Sequence, residues 1–263
     1  TTVSLTFAKL TVDEESCDSQ LTWPAIDPAT TEEALLGDEI SYSGKMKHCF
    51  KLSIGTEQYV AKHFFEIGAG KGEVTMAENT SDLEFEALRC GMASWFLRKF
   101  RAATADMAIT KIRLAQEVIS QDGAPSPASG VVKEVYEAAP ATDRSIVWLL
   151  EPVRNSSVTH YSGTMDHPAG NGQLAHTLSA FVHYSFQESE GGLVFADIQG
   201  MCTNSMGIII FDMMTHTHGG DSGVGDHGPK GIEKWRDQHD CKCSARHLIL
   251  QWERMMNQSN YEL

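Results

Sequence analysis

Apolar and polar residues alternate from Val3 to Val12, with Val3, Leu5 and Phe7 on one side, which is the two-residue period of a half-buried strand. Glu14 to Thr31 breaks that alternation with Trp23-Pro24 and Asp27-Pro28 and predicts a surface turn and loop. Two β-prone runs follow, Ile40 to Leu52 and Gln58 to Phe65, and predict two or three antiparallel strands. From Ser81 to Ala105 the period becomes helical: Phe85, Leu88, Met92, Trp95 and Phe96 recur on one face, with Ser81 or Asp82 as the cap. Gln121 to Gly130 has no period and predicts an exposed loop. The apolar run Ser145 to Leu150 stops at Glu151-Pro152 and reads as a buried strand. Gly172 to Tyr184 reads as a helix carrying Leu174, Leu178 and Phe181. Leu193 to Ala196 and Ile208 to Phe211 read as buried strands that end in Asp197 and Asp212.

At 263 residues the chain is long enough for one large domain or two packed lobes. Lys and Arg number 21 against 35 Asp and Glu, so 21 − 35 = −14, which disfavours non-specific attraction to nucleic acid or an anionic membrane. No apolar run approaches the roughly 20 residues of a membrane span. The N-terminus lacks a secretory pattern, so a cytoplasmic location is expected. The six cysteines (Cys17, Cys49, Cys90, Cys202, Cys241 and Cys243) are scattered, which suits reduced thiols.

Four features carry chemistry. Lys62, in Tyr59-Val-Ala-Lys-His-Phe64, is either a point charge aimed at a nucleotide phosphate or an edge-strand lysine. Glu84 and Glu86 are candidate partners for it, or a solvated first helical turn. Asp197 and Gln199, one residue apart in an extended chain, project to one side, and Asp212 at the next strand end gives a second acid for a hard cation. Gly223 to Gly231 holds Gly-x-Gly-x-x-Gly, but Thr215-His-Thr-His precedes it where a dinucleotide-binding fold needs a strand. Pro229 then suits a first helical turn, with loop amides free to face an anion or a substrate backbone. Last, His239-Asp-Cys241-Lys-Cys243 clusters soft metal ligands, while His183 reads as a core histidine or a ligand.

The order strand lysine, helix, Asp197-Ile-Gln199-Gly, second aspartate, late glycine loop, His-x-Cys resembles the alpha-kinases, atypical protein kinases, and most of all their fungal-type domains. The resemblance runs from about Ile40 to Leu250. It implies a two-lobed α+β fold, the atypical protein kinase fold, with a β-rich lobe over about 1–150 and a mixed lobe over about 151–263 that carries a zinc site. It implies ATP, Mg²⁺ and Zn²⁺ as cofactors and a protein substrate with a Ser or Thr acceptor, without nucleic acid or membrane. Lys62 then contacts ATP phosphates. Lys47, in Gly44-Lys-Met-Lys47 where the family has arginine, lies over the nucleotide, and Glu151 lies at the adenine linker. Asp197 becomes the catalytic aspartate, and Gln199 and Asp212 the Mg²⁺ ligands. Gly223, Gly225 and Gly228 shape the substrate side. His183, His239 and Cys241 become zinc ligands, with Ala245 where the family has its fourth. Cys243, His247 or water stands as the substitute. The function implied is serine/threonine protein kinase activity. A nucleotide-binding pseudokinase or a zinc-stabilised interaction scaffold is the alternative.

Overall fold

The alternation at the start of the chain does fold into strands, in a computed structural model that describes residues 1–40, 46–64, 74–100, 107–154, 157–167, 172–203 and 207–239. It yields two strands rather than one. β1 (Thr2–Phe7) buries Val3 and Leu5, and β2 (Lys9–Val12) leaves to pair with β3 (Ser19–Thr22) as a separate hairpin. The hairpin turn forms on Asp13, whose Oδ1 accepts the amides of Glu15 and Ser16 at 3.0 and 2.8 Å. The segment expected to be a loop over Glu14 to Thr31 therefore contains a strand, too short and polar for its period to show.

The chain divides into two compact units, Thr1–Gly91 with Lys111–Asn155, and Met92–Thr110 with Ser156–Leu263. In the first, β1, β4 (Glu32–Glu39), β5 (Lys47–Ile54), β6 (Glu57–Phe64), β9 (Val147–Pro152) and β8 (Arg113–Glu117) close into a barrel in that order. Leu5, Leu36, Leu52, Ala61, Trp148 and Leu150 fill its interior. Successive side chains alternate across a strand. Since Phe50, Leu52 and Ala61 point in, Lys47, Cys49, Lys62 and Phe64 point out.

Helix α1 (Met76–Lys99) begins at Met76 and not at Ser81. Glu78 N donates to Thr75 Oγ1 at 3.2 Å and Thr75 N donates to Glu78 Oε2 at 2.9 Å, a reciprocal cap that satisfies two orphan amides. Asn79 fastens the helix start to the barrel: its Oδ1 accepts Phe64 N at 2.9 Å and its Nδ2 donates to Val147 O at 3.0 Å. Leu83, Ala87, Cys90, Ala93, Trp95 and Phe96 are buried, while Phe85, Leu88 and Met92 of the expected stripe are only half-buried. The β2–β3 hairpin lies on this helix, where a Cβ at Gly91 would come within 2.9 Å of Leu10 Cδ2. A helix covered on more than one side needs no single apolar stripe.

The loop expected over Gln121 to Gly130 is partly buried. Glu117 accepts Ser126 N at 3.0 Å and Trp148 Nε1 at 2.9 Å, and it seats a 3-10 turn at Pro127–Ser129 in which Ser126 and Ser129 are buried. A short helix α2 (Lys133–Ala138) follows.

In the second unit β10 (Thr159–His160), β12 (Gln199–Cys202), β13 (Ile208–Phe211) and β7 (Met107–Ile109) form a four-stranded sheet in that order, with β13 and β7 parallel. β11 (Leu193–Ala196) pairs with β14 (Met214–Thr217). Helix α3 (Gln173–Glu188) packs on β11, and α4 (Pro229–Gln238) packs on β14. The core is aromatic: Phe181 stacks on Phe195 at 5.5 Å, and Phe96 meets Phe195 edge-on at 5.8 Å. Among the described residues no helix is long and apolar enough to cross a membrane.

Candidate functional site

On the outer face of the barrel, β6 presents Lys62 and the neighbouring β9 presents Glu151. Val60 is the Cα partner of Glu151, and Lys62 follows two residues along. Lys62 Nζ lies 2.9 Å from Glu151 Oε1, and Arg154 pairs with Oε2 of the same carboxylate. Glu151 is almost fully buried, so two cations hold one carboxylate that water does not reach. Arg154 was not foreseen from the sequence, since Pro152 breaks the pattern linking it to Glu151. Lys47 pairs with Glu86 of α1 and rests over the Phe64 ring at 4.9 Å. Glu84 accepts Trp23 Nε1 at 2.6 Å. Of the two helix glutamates considered for Lys62, one thus serves Lys47 and the other the N-terminal hairpin. Gly44 lies outside the described residues.

In the second unit Asp197 and Asp212 stand at the ends of β11 and β13. Both take left-handed backbone conformations, φ 48° and 56°. Aspartate tolerates that region better than most side chains, and such conformations concentrate at functional sites. The chain at Asp197 is therefore turned and not extended, yet the Gln199 side chain still bears on the Asp197 carboxyl, favouring its charged form. The turn is held from β10: Tyr161 N donates to Ile198 O at 2.8 Å, Ile198 N to Ser162 Oγ at 2.8 Å, and Asp197 N to Gly163 O at 3.0 Å. Register does the rest, because Gln199 is the Cα partner of Phe211, the residue before Asp212. Burial and then the Asp212 charge push the Asp197 carboxyl above its ordinary range, against smaller opposing effects of His160 and Gln199. An acid held up by a second acid, with an amide beside it, is what the structure brings together here.

The glycine loop is organised from within. Gly223, Gly225 and Gly228 take φ 101°, 87° and 62°, and a Cβ at Gly225 would come within 2.1 Å of Met214 Sδ. Asp226, inside the motif, accepts Thr217 N at 3.0 Å, Thr217 Oγ1 at 2.7 Å, Ser222 N at 3.1 Å, Ser222 Oγ at 2.7 Å and Gly228 N at 2.8 Å. Burial alone raises this carboxyl, but the hydrogen bonds together outweigh it and hold the group below its ordinary range. His227 N donates to His216 Nδ1 at 3.2 Å, and His216 Nε2 donates to Thr164 O at 2.6 Å, so His216 is neutral, as its burial also favours. Of the loop amides expected to face an anion or a substrate backbone, those of His227 and Gly228 are engaged inside the protein. Asp226 supplies the anion. Pro229 opens α4 as expected.

His183 of α3 and His239 at the end of α4 meet, Nδ1 to Nε2 at 2.6 Å, against the Trp235 ring. Zn²⁺ between two imidazoles needs nitrogens about 3.3 Å apart, so this contact is a hydrogen bond between the rings. Cys241, Cys243, Ala245 and His247 lie outside the described residues. Among the described residues no group of three or more His, Cys, Asp or Glu side chains is arranged to hold a metal ion.

A family model described as the alpha-kinase family matches residues 42–244. Myosin heavy chain kinase B of Dictyostelium discoideum is 36% identical over 76 residues, 28% of this chain and 10% of that protein, so the match spans a small part of that relative's length. Among solved structures, an alpha kinase from Entamoeba histolytica aligns with TM-score 0.68 at 17% identity, covering 94% of this chain and 91% of that one. The inactive alpha-kinase domain of myosin heavy chain kinase A in complex with ATP aligns with TM-score 0.62 at 12% identity, covering 95% and 97%. At these identities the structural likeness is one of fold.

Proposed function

Because the chain belongs to the alpha-kinase family, whose model matches residues 42–244, we propose that it transfers the γ-phosphate of ATP to a serine or threonine hydroxyl of a protein substrate. The observation that carries this reading is the left-handed pair Asp197 and Asp212 beside Gln199. Lys62, on a rigid strand, neutralises nucleotide phosphate charge, and Glu151 lies at the adenine side. Gln199 and Asp212 would hold Mg²⁺, which when bound neutralises charge on the phosphate oxygens. Asp197 orients the acceptor hydroxyl and takes its proton as the new bond to the γ-phosphorus forms and the bond to the bridging oxygen breaks, with ADP leaving, a role suited to a carboxyl whose affinity for protons is raised by its surroundings. Gly223 to Gly228 form a pre-shaped wall on the substrate side, fixed at both ends by Asp226, which accepts the amides of Ser222 just before it and Gly228 at its end.

His183 and His239, with Cys241 two residues further along the sequence, would hold a structural Zn²⁺. The support is the convergence of two imidazole nitrogens from different helices. One observation favours the nucleotide-binding scaffold without transfer: Lys47, expected over the nucleotide, is engaged by Glu86. Incubation with Mg²⁺ and ATP labelled at the γ-position separates the two readings. The kinase places label on Ser or Thr of the chain itself or of a basic test protein, whereas a scaffold shows a thermal shift with ATP and no label.

A further inference from the structure

We propose that Arg154 is a positioning residue for the nucleotide: by keeping Glu151 paired, it releases Lys62 to the phosphates. This rests on the nucleotide reading of Lys62 given above. The Glu151 side chain is 1% exposed, Lys62 14% and Arg154 16%. Each cation holds its own carboxylate oxygen, Lys62 on Oε1 at 2.9 Å and Arg154 on Oε2. The first contact is fixed by strand register, Val60 to Glu151 and Lys62 to Leu149, and the second returns from three residues beyond Glu151, across Pro152.

The energetics follow from burial. A buried carboxylate stripped of its partner is penalised chiefly by the charge left behind. Were Lys62 to carry that charge without help, every nucleotide that drew its ammonium to a phosphate would strand Glu151. With two cations on one carboxylate the lysine can leave while the arginine stays. A guanidinium suits that standing role because it is always charged and its planar fork is pre-organised toward a carboxylate, while the lysine ammonium, on a flexible stem, is the more mobile of the two. Arg154 thus acts through Glu151 and Lys62 and does not itself meet the nucleotide.

The test is the dissociation constants of ATP and of adenosine, measured by calorimetry on the whole chain for wild type, Arg154→Met, Arg154→Lys, Glu151→Gln and the double variant Glu151→Gln/Arg154→Met. Arg154→Met is expected to weaken ATP about tenfold, or about 1.4 kcal/mol, and adenosine by less than about twofold. Arg154→Lys keeps the charge and recovers most of the ATP affinity. Once Glu151 is neutral, Arg154→Met has no further effect on ATP. Equal losses for ATP and adenosine would mean that Arg154 only supports the fold and would overturn the proposal. A loss that persists in the Glu151→Gln background would mean direct contact with phosphate and would overturn it too. ATP bound equally by wild type and Arg154→Met removes the proposal alone. A wild-type chain that binds neither ligand removes the nucleotide reading together with it.

Discussion

Asp197 and Asp212 share a backbone conformation unusual for non-glycine residues, and each is worse placed electrostatically for having the other nearby. With the Asp197 carboxyl raised above the ordinary 3.8, its favourable contribution to folding is present below that pH and is lost as pH rises through the folded-state value. The metal-free protein therefore carries a strained acid pair at neutral pH. Asp212→Asn keeps a side chain that tolerates the left-handed region while removing the repulsion. It should stabilise the metal-free chain by on the order of 0.5–1 kcal/mol, a value already discounted for partial exposure. If Asp212 holds Mg²⁺ as proposed, wild type gains Tm with Mg²⁺ and Asp212→Asn does not. Thermal melts from pH 4 to 8, with and without Mg²⁺, read both effects. A destabilised Asp212→Asn protein would show that the two carboxylates do not oppose each other. The pair was legible as two strand-end acids beside an amide. What the sequence did not disclose is that a turned backbone, held by Ser162 and Gly163, and not an extended one brings Asp197 to Gln199.

At the scale of elements, the glycine loop and its flanking strand form one hydrogen-bonded unit around Asp226. Its carboxyl is held below the ordinary 3.8, so its contribution is complete above that value and disappears as pH falls through the folded-state value. Asp226→Ala should cost about 2 kcal/mol, since several donors lose a charged acceptor at once. It should also flatten the acid limb of the stability profile below pH 3.8. A variant melting with the wild-type pH dependence would remove Asp226 from that role. The Ser145 to Leu150 strand was readable because burial on both faces leaves an unbroken apolar run, and the Gly172 to Tyr184 helix because burial on one face repeats in sequence. The start of α1 was misread at Ser81 because the true cap, Thr75 with Glu78, precedes the apolar run that drew attention. Ser126 and Ser129 read as exposed because their burial depends on Glu117, distant from them in pattern though near in chain. Asp226 was hidden inside a glycine motif whose glycines took all the notice.

At the scale of the whole molecule, a closed antiparallel barrel and a mixed sheet with helices give two units, each carrying its own part of the proposed chemistry. The barrel carries Lys62 on its outer face, and in the other unit strand ends gather Asp197, Gln199 and Asp212. The order of motifs along the chain carried the family resemblance. The contacts that tune them, Arg154 on Glu151 and Glu86 on Lys47, depend on tertiary placement and could not be read from spacing. In the proposed reaction Asp197 serves transfer and not nucleotide binding. The most direct test is labelled γ-phosphate transfer by wild type and Asp197→Ala, with the ATP dissociation constant measured on the same preparations. The account predicts that transfer falls by about a hundred- to ten-thousand-fold while ATP affinity stays within about threefold. Transfer at the wild-type rate by Asp197→Ala would contradict it.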